Sequence, residues 1–354
     1  MFSRSRYLSL PSFILFTVLA LIRCVAPSEI KFIRAPLKQL GEVRQFVGHD
    51  EGVQCLAISK DGKKLLSGCG GASVVNGKPR KVADLSIRLW DVETGKQLLK
   101  MEGHTTPVDS VAFAPDGNTA VSGGYDGIRL WDLKTGRETR SITDQVTTPH
   151  SIGFFADGKR FHATGVDSTV RIWDVDTGKE LRRLGPQIRM LQSAALSSDE
   201  RHIIAGGTWM QVWRWDVSDG KLLNTYDIQK DITGLAFAPS NKQFLLCSRT
   251  ETKLIDIETG STVRNFVGHS KYEVFCSQFT TDGKRFATCG RDQTLRIWDA
   301  STGKQIGIVE GFTDGLNCVV ITPDDKHVIA AGGGTKPDTL DFTIRMWSLS
   351  QLTK

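Results

Sequence analysis

The chain has 354 residues, of which 40% are hydrophobic and 24% are charged. This balance excludes a disordered or collagen-like chain and supplies enough apolar side chains for a large core. The formal net charge of +6 is small for this length, which argues against a nucleic-acid-binding protein because those carry a basic stripe or a strongly basic domain.

The first 27 residues differ in character from the rest of the chain. Arg4 and Arg6 precede an apolar run over residues 13–22, and a polar stretch follows. An apolar run of this length is too short for a transmembrane helix, which needs about 20 residues, but it suits the core of a secretory signal. We therefore expect residues 1–27 to be a signal peptide that directs export to the periplasm or the extracellular space, with a linker over 28–41.

Other interpretations of this segment stay open. They are an uncleaved membrane anchor, a lipoprotein signal ending at Cys24, and a misassigned start codon that would leave the protein in the cytoplasm. Cleavage would remove Arg4, Arg6 and Arg23 and lower the net charge from +6 to +3. A nearly neutral mature chain argues further against nucleic acid, and a membrane contact is expected only through an uncleaved N-terminal segment.

A Trp-Asp pair, or a close substitute, recurs seven times along the remaining sequence. The successive intervals are 41, 42, 42, 40, 43 and 49 residues. The pairs are Trp90-Asp91, Trp131-Asp132, Trp173-Asp174, Trp215-Asp216, Ile255-Asp256, Trp298-Asp299 and Trp347-Ser348. Such a period is typical of arrays in which each repeat is one small structural unit.

Turn signals divide each unit into short strands. In six units a Gly follows the Asp of the pair at the fourth position, as Gly95 does after Asp91. A second turn precedes each pair: Asp61-Gly62, Asp116-Gly117, Asp157-Gly158, Asp199-Glu200, Ser240-Asn241, Asp282-Gly283 and Asp324-Asp325. Evenly spaced strands with turns between them predict an all-β protein with four strands, a to d, in each unit.

These motifs resemble the WD40-repeat family, and Gly48-His49, Gly103-His104 and Gly268-His269 match its Gly-His segments. The chain is similar to bacterial stand-alone WD40 proteins with an export signal. The resemblance covers residues 42–349 and implies a seven-bladed β-propeller, leaving 350–354 as a C-terminal tail. Because the last unit stops after its third strand, we expect residues 42–47 to pair with 344–348 and close the ring, which removes a free sheet edge.

The resemblance also implies buried hydrogen-bonded tetrads of His, Ser or Thr, Asp and Trp. They are His49, Ser67, Asp84 and Trp90 in blade 1; His104, Ser122, Asp126 and Trp131 in blade 2; and His269, Thr288, Asp292 and Trp298 in blade 6. A serine, histidine and aspartate could be taken for a catalytic triad, but three copies of one constellation favour a structural role.

The other blades are expected to depart from this pattern. In blade 3 we align Thr164, Asp167 and Trp173 with the tetrad, with Gln145 in place of its histidine. Blades 4 and 5 have Ala205 and Leu246 at the Ser or Thr position, so they should depend on apolar packing.

By the same resemblance, partner contacts are expected on the upper face, where the a strands begin. The matching positions around the channel mouth are Gln54, Asp109, His150, Gln192, Thr233, Phe275 and Asn317. Exposed Tyr125, Met190, Phe275 and Arg291 are the preferred anchors, because aromatic, Met and Arg side chains carry much interface energy. The implied function is a non-catalytic scaffold that binds a protein or peptide.

The alternative is an enzyme or small-ligand binder that uses the central channel. Of the channel-mouth positions, only Asp109 and His150 could serve acid–base chemistry. The sequence contains no metal-ligand spacing of Cys or His, and we expect no cofactor and no metal.

Two insertions mark the b–c loops of blades 1 and 7. They lie between Ser67 and Asp84 and between Ala331 and Asp341. Ring closure would make them neighbours, and they carry the basic residues Lys78, Arg80, Lys81 and Lys336. This seam is therefore expected to attract an acidic segment of the partner.

Overall fold

Short strands joined by tight turns make up almost all of the chain that the structure describes. The computed structural model describes residues 41–70, 74–75, 78–79, 84–143, 149–185, 190–208, 210–249, 251–269, 274–333 and 341–354. Within these ranges the strands form seven four-stranded antiparallel sheets and one two-stranded hairpin. None of the helices in the described ranges is long and apolar enough to cross a membrane.

Each four-stranded sheet is one blade. Blade 1 contains β2 (Val53–Ile58), β3 (Lys64–Cys69), β6 (Ile87–Asp91) and β7 (Gln97–Met101); blade 2 contains β8 (Val108–Phe113), β9 (Thr119–Gly124), β10 (Gly127–Asp132) and β11 (Glu138–Ile142); blade 3 contains β12 (Pro149–Phe154), β13 (Arg160–Gly165), β14 (Val170–Asp174) and β15 (Glu180–Leu184); blade 4 contains β16 (Leu191–Leu196), β17 (His202–Gly207), β18 (Gln211–Asp216) and β19 (Leu222–Asp227).

The remaining blades follow the same order, except for the last. Blade 5 contains β20 (Ile232–Phe237), β21 (Gln243–Ser248), β22 (Thr252–Asp256) and β23 (Thr262–Phe266); blade 6 contains β24 (Val274–Phe279), β25 (Arg285–Gly290), β26 (Leu295–Asp299) and β27 (Gln305–Val309); blade 7 contains β28 (Leu316–Ile321), β29 (His327–Gly332), β30 (Ile344–Ser348) and β1 (Glu42–Phe46); and the hairpin in the blade 1 insertion contains β4 (Val74–Val75) and β5 (Lys78–Pro79).

The innermost strands form a closed ring. Each contacts the innermost strand of the next blade, and β28 of blade 7 contacts β2 of blade 1. Strand β1 lies antiparallel to β30, with Gln45 opposite Arg345 and Phe46 opposite Ile344. The outermost strand of the last blade therefore comes from the N-terminal side of the propeller, so the edge of β30 is covered.

The turn between the first two strands of each blade explains its sequence pattern. Its second residue has a positive φ, which glycine adopts without cost, as Gly117 does at +66°. Three blades place Glu200, Asn241 or Asp325 there instead, with φ between 56° and 60°. A left-handed conformation in such residues costs about 1–2 kcal/mol each, which the flanking strand pairs must outweigh.

The C-terminus forms a short helix where the sequence predicted only a tail. Helix α1 (Leu349–Leu352) follows β30 directly, and Leu349 is buried. The helix contacts β27 of blade 6. Gly307 permits this approach, because a Cβ at that position would lie 2.5 Å from the carbonyl oxygen of Leu352.

Candidate partner-binding site at the channel mouth

A cavity of about 310 Å³ opens where the innermost strands begin. Its lining includes six of the seven channel-mouth positions that the sequence indicated: Gln54, Asp109, His150, Gln192, Thr233 and Phe275. Thr208, Asp231 and Arg249 complete the lining. The innermost strands of blades 1 to 6 each contribute the side chain of their second residue, so the ring brings together residues that are about one repeat apart in sequence.

Asp109 and His150 lie together in this cavity. The distance from His150 Nδ1 to Asp109 Oδ2 is 3.7 Å, too long for a normal hydrogen bond. Burial raises the pKa of Asp109 to about 7 and lowers the pKa of His150. The ring of Tyr125 meets the His150 ring edge to face, with centroids 6.2 Å apart, so this wall of the cavity is partly aromatic.

Asn317 is hydrogen-bonded to blade 1 and is not part of the cavity lining. Its Nδ2 donates to the backbone carbonyl of Val53 at 2.9 Å and lies 3.4 Å from Gln54 Oε1. The Nε2 of Gln54 donates to the carbonyl of Gly70. Asn317 therefore joins blades 7 and 1.

The four expected anchors differ in exposure. Tyr125 is 59% exposed and Arg291 is exposed. Met190 and Phe275 are half-buried, so the expectation that both are exposed was wrong. Phe275 lies on β24 facing the cavity, and the backbone carbonyl of Met190 accepts a hydrogen bond from Thr208, which ties both to the channel mouth.

Most of the predicted basic seam falls outside the described residues. Arg80, Lys81 and Lys336 lie there, as does Gln145 of blade 3. Lys78 lies on β5, which pairs with β4 in the blade 1 insertion. The meeting of the two insertions therefore stays a prediction.

The three tetrads are continuous chains of hydrogen bonds. In blade 2, Trp131 Nε1 donates to Ser122 Oγ at 2.8 Å, His104 Nε2 lies 2.7 Å from the same oxygen, and His104 Nδ1 lies 2.6 Å from Asp126 Oδ1. Blades 1 and 6 repeat this arrangement through Ser67 and Thr288: the other members are His49, Asp84 and Trp90, and His269, Asp292 and Trp298.

These chains are closed to substrates. Ser67, Ser122 and Thr288 have no exposed surface, so their hydroxyl groups cannot attack a bound molecule. Burial acts to raise the pKa of Asp84, but hydrogen bonds from His49 and Ser86 outweigh it and hold that pKa well below the usual range. The tetrads satisfy buried polar groups, which would otherwise destabilise the fold.

The alignment of blade 3 was wrong by one residue. Strand register places Ala163 opposite Arg171, as Ser122 stands opposite Arg129 in blade 2. Thr164 lies one position further along, and neither its Oγ1 nor Trp173 Nε1 has a hydrogen-bond partner among the residues that the structure describes. The signal was present in the sequence, because the Ser or Thr of every tetrad follows the turn aspartate by six residues and Thr164 follows Asp157 by seven.

The same count corrects blade 7. Ala330, not Ala331, stands opposite Arg345, and the buried Trp347 Nε1 has no partner within the described ranges. Neither blade 3 nor blade 7 therefore has the hydroxyl that accepts the indole N–H in the tetrads.

The repeat match decides the family. The model of the WD domain, G-beta repeat, matches residues 41–91, 95–132, 137–174, 260–299 and 303–348. These segments make up more than half of the chain. The chain belongs to the WD40 family. The unmatched residues 175–259 contain blade 4 and the first three strands of blade 5, where Ala205, Leu246 and Ile255 replace tetrad residues.

Curated WD40 relatives match over short segments. The chain is 29% identical over 108 residues to intraflagellar transport protein 122 homolog of Danio rerio, which is 30% of this chain and 9% of the relative. It is 35% identical over 72 residues to periodic tryptophan protein 2 homolog of Neurospora crassa, with coverages of 20% and 7%. WD repeat-containing protein 1 of Mus musculus is 31% identical over 85 residues, with coverages of 23% and 13%.

The matches thus span only about a tenth of the length of these relatives. WD40 propellers generally act as protein-interaction scaffolds, and none of these names denotes a catalytic activity. This shared role is the level of function that the family establishes.

Arginines near the Trp-Asp pairs were not singled out from the sequence, although they recur there. Arg129 pairs with Asp126 of the tetrad at 3.1 Å and with Glu138 on the outer strand at 2.5 Å. Arg171 pairs with Asp167 and with Glu180 in the same way. The WD40 arginine therefore joins the tetrad end of the blade to its outermost strand. Its regular position two residues before the tryptophan was the available signal.

One cluster in the described ranges has the composition of a metal site. Ligand atoms of His49, Cys69 and Asp84 lie within 4.8 Å of one another. Both ring nitrogens of His49 are engaged in the blade 1 tetrad, and burial raises the pKa of the Cys69 thiol. A thiol that resists ionisation is a poor metal ligand, so this cluster fits the tetrad better than a metal.

Proposed function

We propose that this protein is a non-catalytic scaffold whose upper face binds a protein or peptide partner around the channel mouth. The observation that carries this proposal is the convergence of six upper-face side chains, from six different blades, on one cavity. A rigid ring that presents loop and strand-end residues is a common platform for recognition. The size of the cavity is at the lower end of ligand pockets, about 300–1,000 Å³, so it suits one inserted side chain.

Exposed apolar side chains in the loops of the upper face support a binding role for the same face. Tyr125 is 59% exposed and lies next to His150 of the cavity wall. Val166 occupies the corresponding position of blade 3, and Met210 lies in the b–c loop of blade 4; they are 42% and 45% exposed. These three exposed side chains offer apolar contact area that a partner can bury.

The chemistry of the cavity supports binding over catalysis. His150 Nε2 has no hydrogen-bond partner among the described residues, so no hydroxyl or thiol there is held ready for it to activate. The hydroxyl of Thr233, which also lines the cavity, donates instead to the backbone carbonyl of Val274.

Capture of partners from the native host tests the proposal. The double variant Tyr125→Ala with Arg291→Ala should lose captured proteins, because both side chains are exposed on the upper face and lie outside the tetrads. The control is Lys159→Ala with Lys284→Ala, two exposed lysines in turns of the lower face. Equal capture by both variants, with unchanged melting temperatures, would refute the upper-face platform.

The basic insertions extend the proposal to an acidic partner segment. Lys78, Arg80 and Lys81 lie in a stretch of the blade 1 insertion that contains no acid between Cys69 and Ala83. Clustered charge speeds and orients association. Reversal of these three charges should slow partner association more than reversal of three lower-face lysines, Lys63, Lys159 and Lys284. Equal effects, or no effect of the first triple, would remove the acidic segment.

Export through residues 1–27 is the last part of the proposal. The short apolar run behind Arg4 and Arg6 supports it. Fractionation of cells that express the full chain should recover a shortened protein outside the cytoplasm. Recovery of the full-length chain in the cytoplasm would refute export, and full-length chain in the membrane would indicate an anchor.

A further inference from the structure

The carboxyl group of Asp109 is unusual within the described part of the chain. Its side chain is 21% exposed and borders the cavity. Among the residues that the structure describes, its one polar contact is the 3.7 Å approach of His150 Nδ1. The aspartates of the tetrads, by contrast, accept several hydrogen bonds: Asp126 contacts His104, Thr105, Thr106 and Arg129.

This isolation has an energetic consequence. A carboxylate taken out of water is destabilised unless a donor or a cation replaces its hydration. Burial is the single cause that raises the pKa of Asp109, to about 7. A positive charge placed beside the group would stabilise its ionised form. The cavity therefore favours a cation that arrives with the ligand.

We propose that the channel-mouth cavity binds a single ammonium or guanidinium group, presented by a basic side chain of the partner, with Asp109 as its counter-ion. This inference rests on the proposed function and names the chemistry of the inserted group. Tyr125 lies beside the Asp109–His150 wall and Phe275 lines the cavity. Aromatic rings attract cations through their faces. Gln192 and Thr208 supply amide and hydroxyl groups to the same lining.

Other ligand classes fit this cavity less well. Arg249, the guanidinium in the lining, lies 3.7 Å from Asp231, so its charge already faces a carboxylate and does not invite an anion. A metal ion needs converging ligand atoms, and in the described ranges the group that meets this condition is His49, Cys69 and Asp84, not the cavity residues. Every lining residue except Phe275 carries a polar or charged group, and a wholly apolar ligand would leave these groups without a partner.

The surroundings of Asp109 predict how binding changes with pH. The titratable neighbours are His150, Tyr125 and Cys55, and Asp231 and Arg249 lie in the same cavity. Burial lowers the pKa of His150 and raises the pKa of the Tyr125 and Cys55 side chains. Asp109 is thus the neighbour that ionises near neutral pH, and a cation should bind about tenfold more tightly at pH 8 than at pH 6.

The test uses calorimetric titration of the full-length chain with capped amino acids. N-acetyl-arginine amide is the probe, and N-acetyl-citrulline amide is its neutral isostere. We expect saturable binding of the arginine probe, at least tenfold weaker binding of the citrulline probe, and about tenfold tighter arginine binding at pH 8 than at pH 6. Absence of saturable arginine binding, or equal binding of the two probes, would overturn the inference.

Variants assign the effect to one carboxyl group. Asp109→Asn should weaken arginine binding at least tenfold and remove its pH dependence, whereas Asp109→Glu should keep both. The control Asp176→Asn changes an exposed carboxylate in a turn of blade 3 and should bind like the parent. If Asp109→Asn fails to fold, pH-dependent binding by Asp109→Glu supports the inference and pH-independent binding refutes it.

Failure of the cation-binding inference can be distinguished from failure of the upper-face platform. Partner capture that survives Asp109→Asn, together with no probe binding, refutes the cationic ligand and leaves the upper-face platform intact. Partner capture that is insensitive to Tyr125→Ala with Arg291→Ala refutes the platform, whatever the probes show.

Discussion

Replacing Ser122 with alanine removes the centre of the blade 2 tetrad. Its Oγ accepts the indole N–H of Trp131 at 2.8 Å and lies 2.7 Å from His104 Nε2. The substitution leaves both of these buried groups without a partner and removes only one heavy atom, so no sizeable cavity forms. A buried polar group without a partner costs about 1–3 kcal/mol. Two such groups are left, but the substitution also removes the buried hydroxyl, whose own desolvation no longer opposes folding. We therefore expect the free energy of unfolding to fall by about 2–4 kcal/mol.

The measurement is urea unfolding followed by both circular dichroism and tryptophan fluorescence, whose transitions must coincide for a two-state analysis. Ser151→Ala is the matched control, because Ser151 Oγ makes one hydrogen bond, to the carbonyl of Ala194 at 3.3 Å, and should cost about 1 kcal/mol or less. A double-mutant cycle with Trp131→Phe should show a coupling energy of at least about 1 kcal/mol. Additive effects, or equal losses for Ser122→Ala and Ser151→Ala, would refute the stabilising role of the tetrad.

Three further predictions concern ring closure, pH and the C-terminus. Glu42→Ala should lower the free energy of unfolding in urea by about 3 kcal/mol, because buried Glu42 on β1 faces the buried Arg345 guanidinium at 3.7 Å; an unchanged midpoint would contradict this role. Burial lowers the pKa of His162 from 6.5 to about 4, so the folded state binds fewer protons than the unfolded state. The free energy of unfolding should therefore fall by about 3 kcal/mol as the pH drops from 6.5 to 4. His162→Leu should flatten the dependence of stability on pH over this range, and an unaltered dependence would rule His162 out. Gly307→Ala should displace α1, since the new Cβ would meet the Leu352 carbonyl, and hydrogen exchange should become faster over residues 349–352 while the blades stay protected.

Local patterns were sufficient to predict the blades. The pairs Trp90-Asp91 to Trp347-Ser348 and the intervening turns recur with a period that only a repeat array explains. Because each blade is built from consecutive strands, the short-range pattern of turns and alternating residues determines where its strands lie. The strand missing from the last repeat also pointed to residues 42–47, and β1 lies beside β30 in the structure.

The candidate site was predictable in position but not in chemistry. The resemblance to the WD40 family placed Gln54, Asp109 and Phe275 at the channel mouth, where all three line one cavity. The alignment failed for Thr164, which lies one residue beyond the tetrad position occupied by Ala163, and a single-residue shift moves a side chain to the opposite face of a strand. Asp231 and Arg249 were missed, since both lie outside strands, in loops of blade 5, where no repeat motif marks them.

The sequence by itself determined the number of blades, their order and the three tetrads, because these depend on residues within one repeat and on a period that recurs. The tertiary structure decided which groups are desolvated and which are left without partners. The pKa of Asp109 depends on its burial in the assembled ring. A glycine is needed at position 307 because a helix that begins 42 residues further along the chain packs against it. Burial and close approach of this kind arise only when distant repeats are brought together, so no local pattern records them.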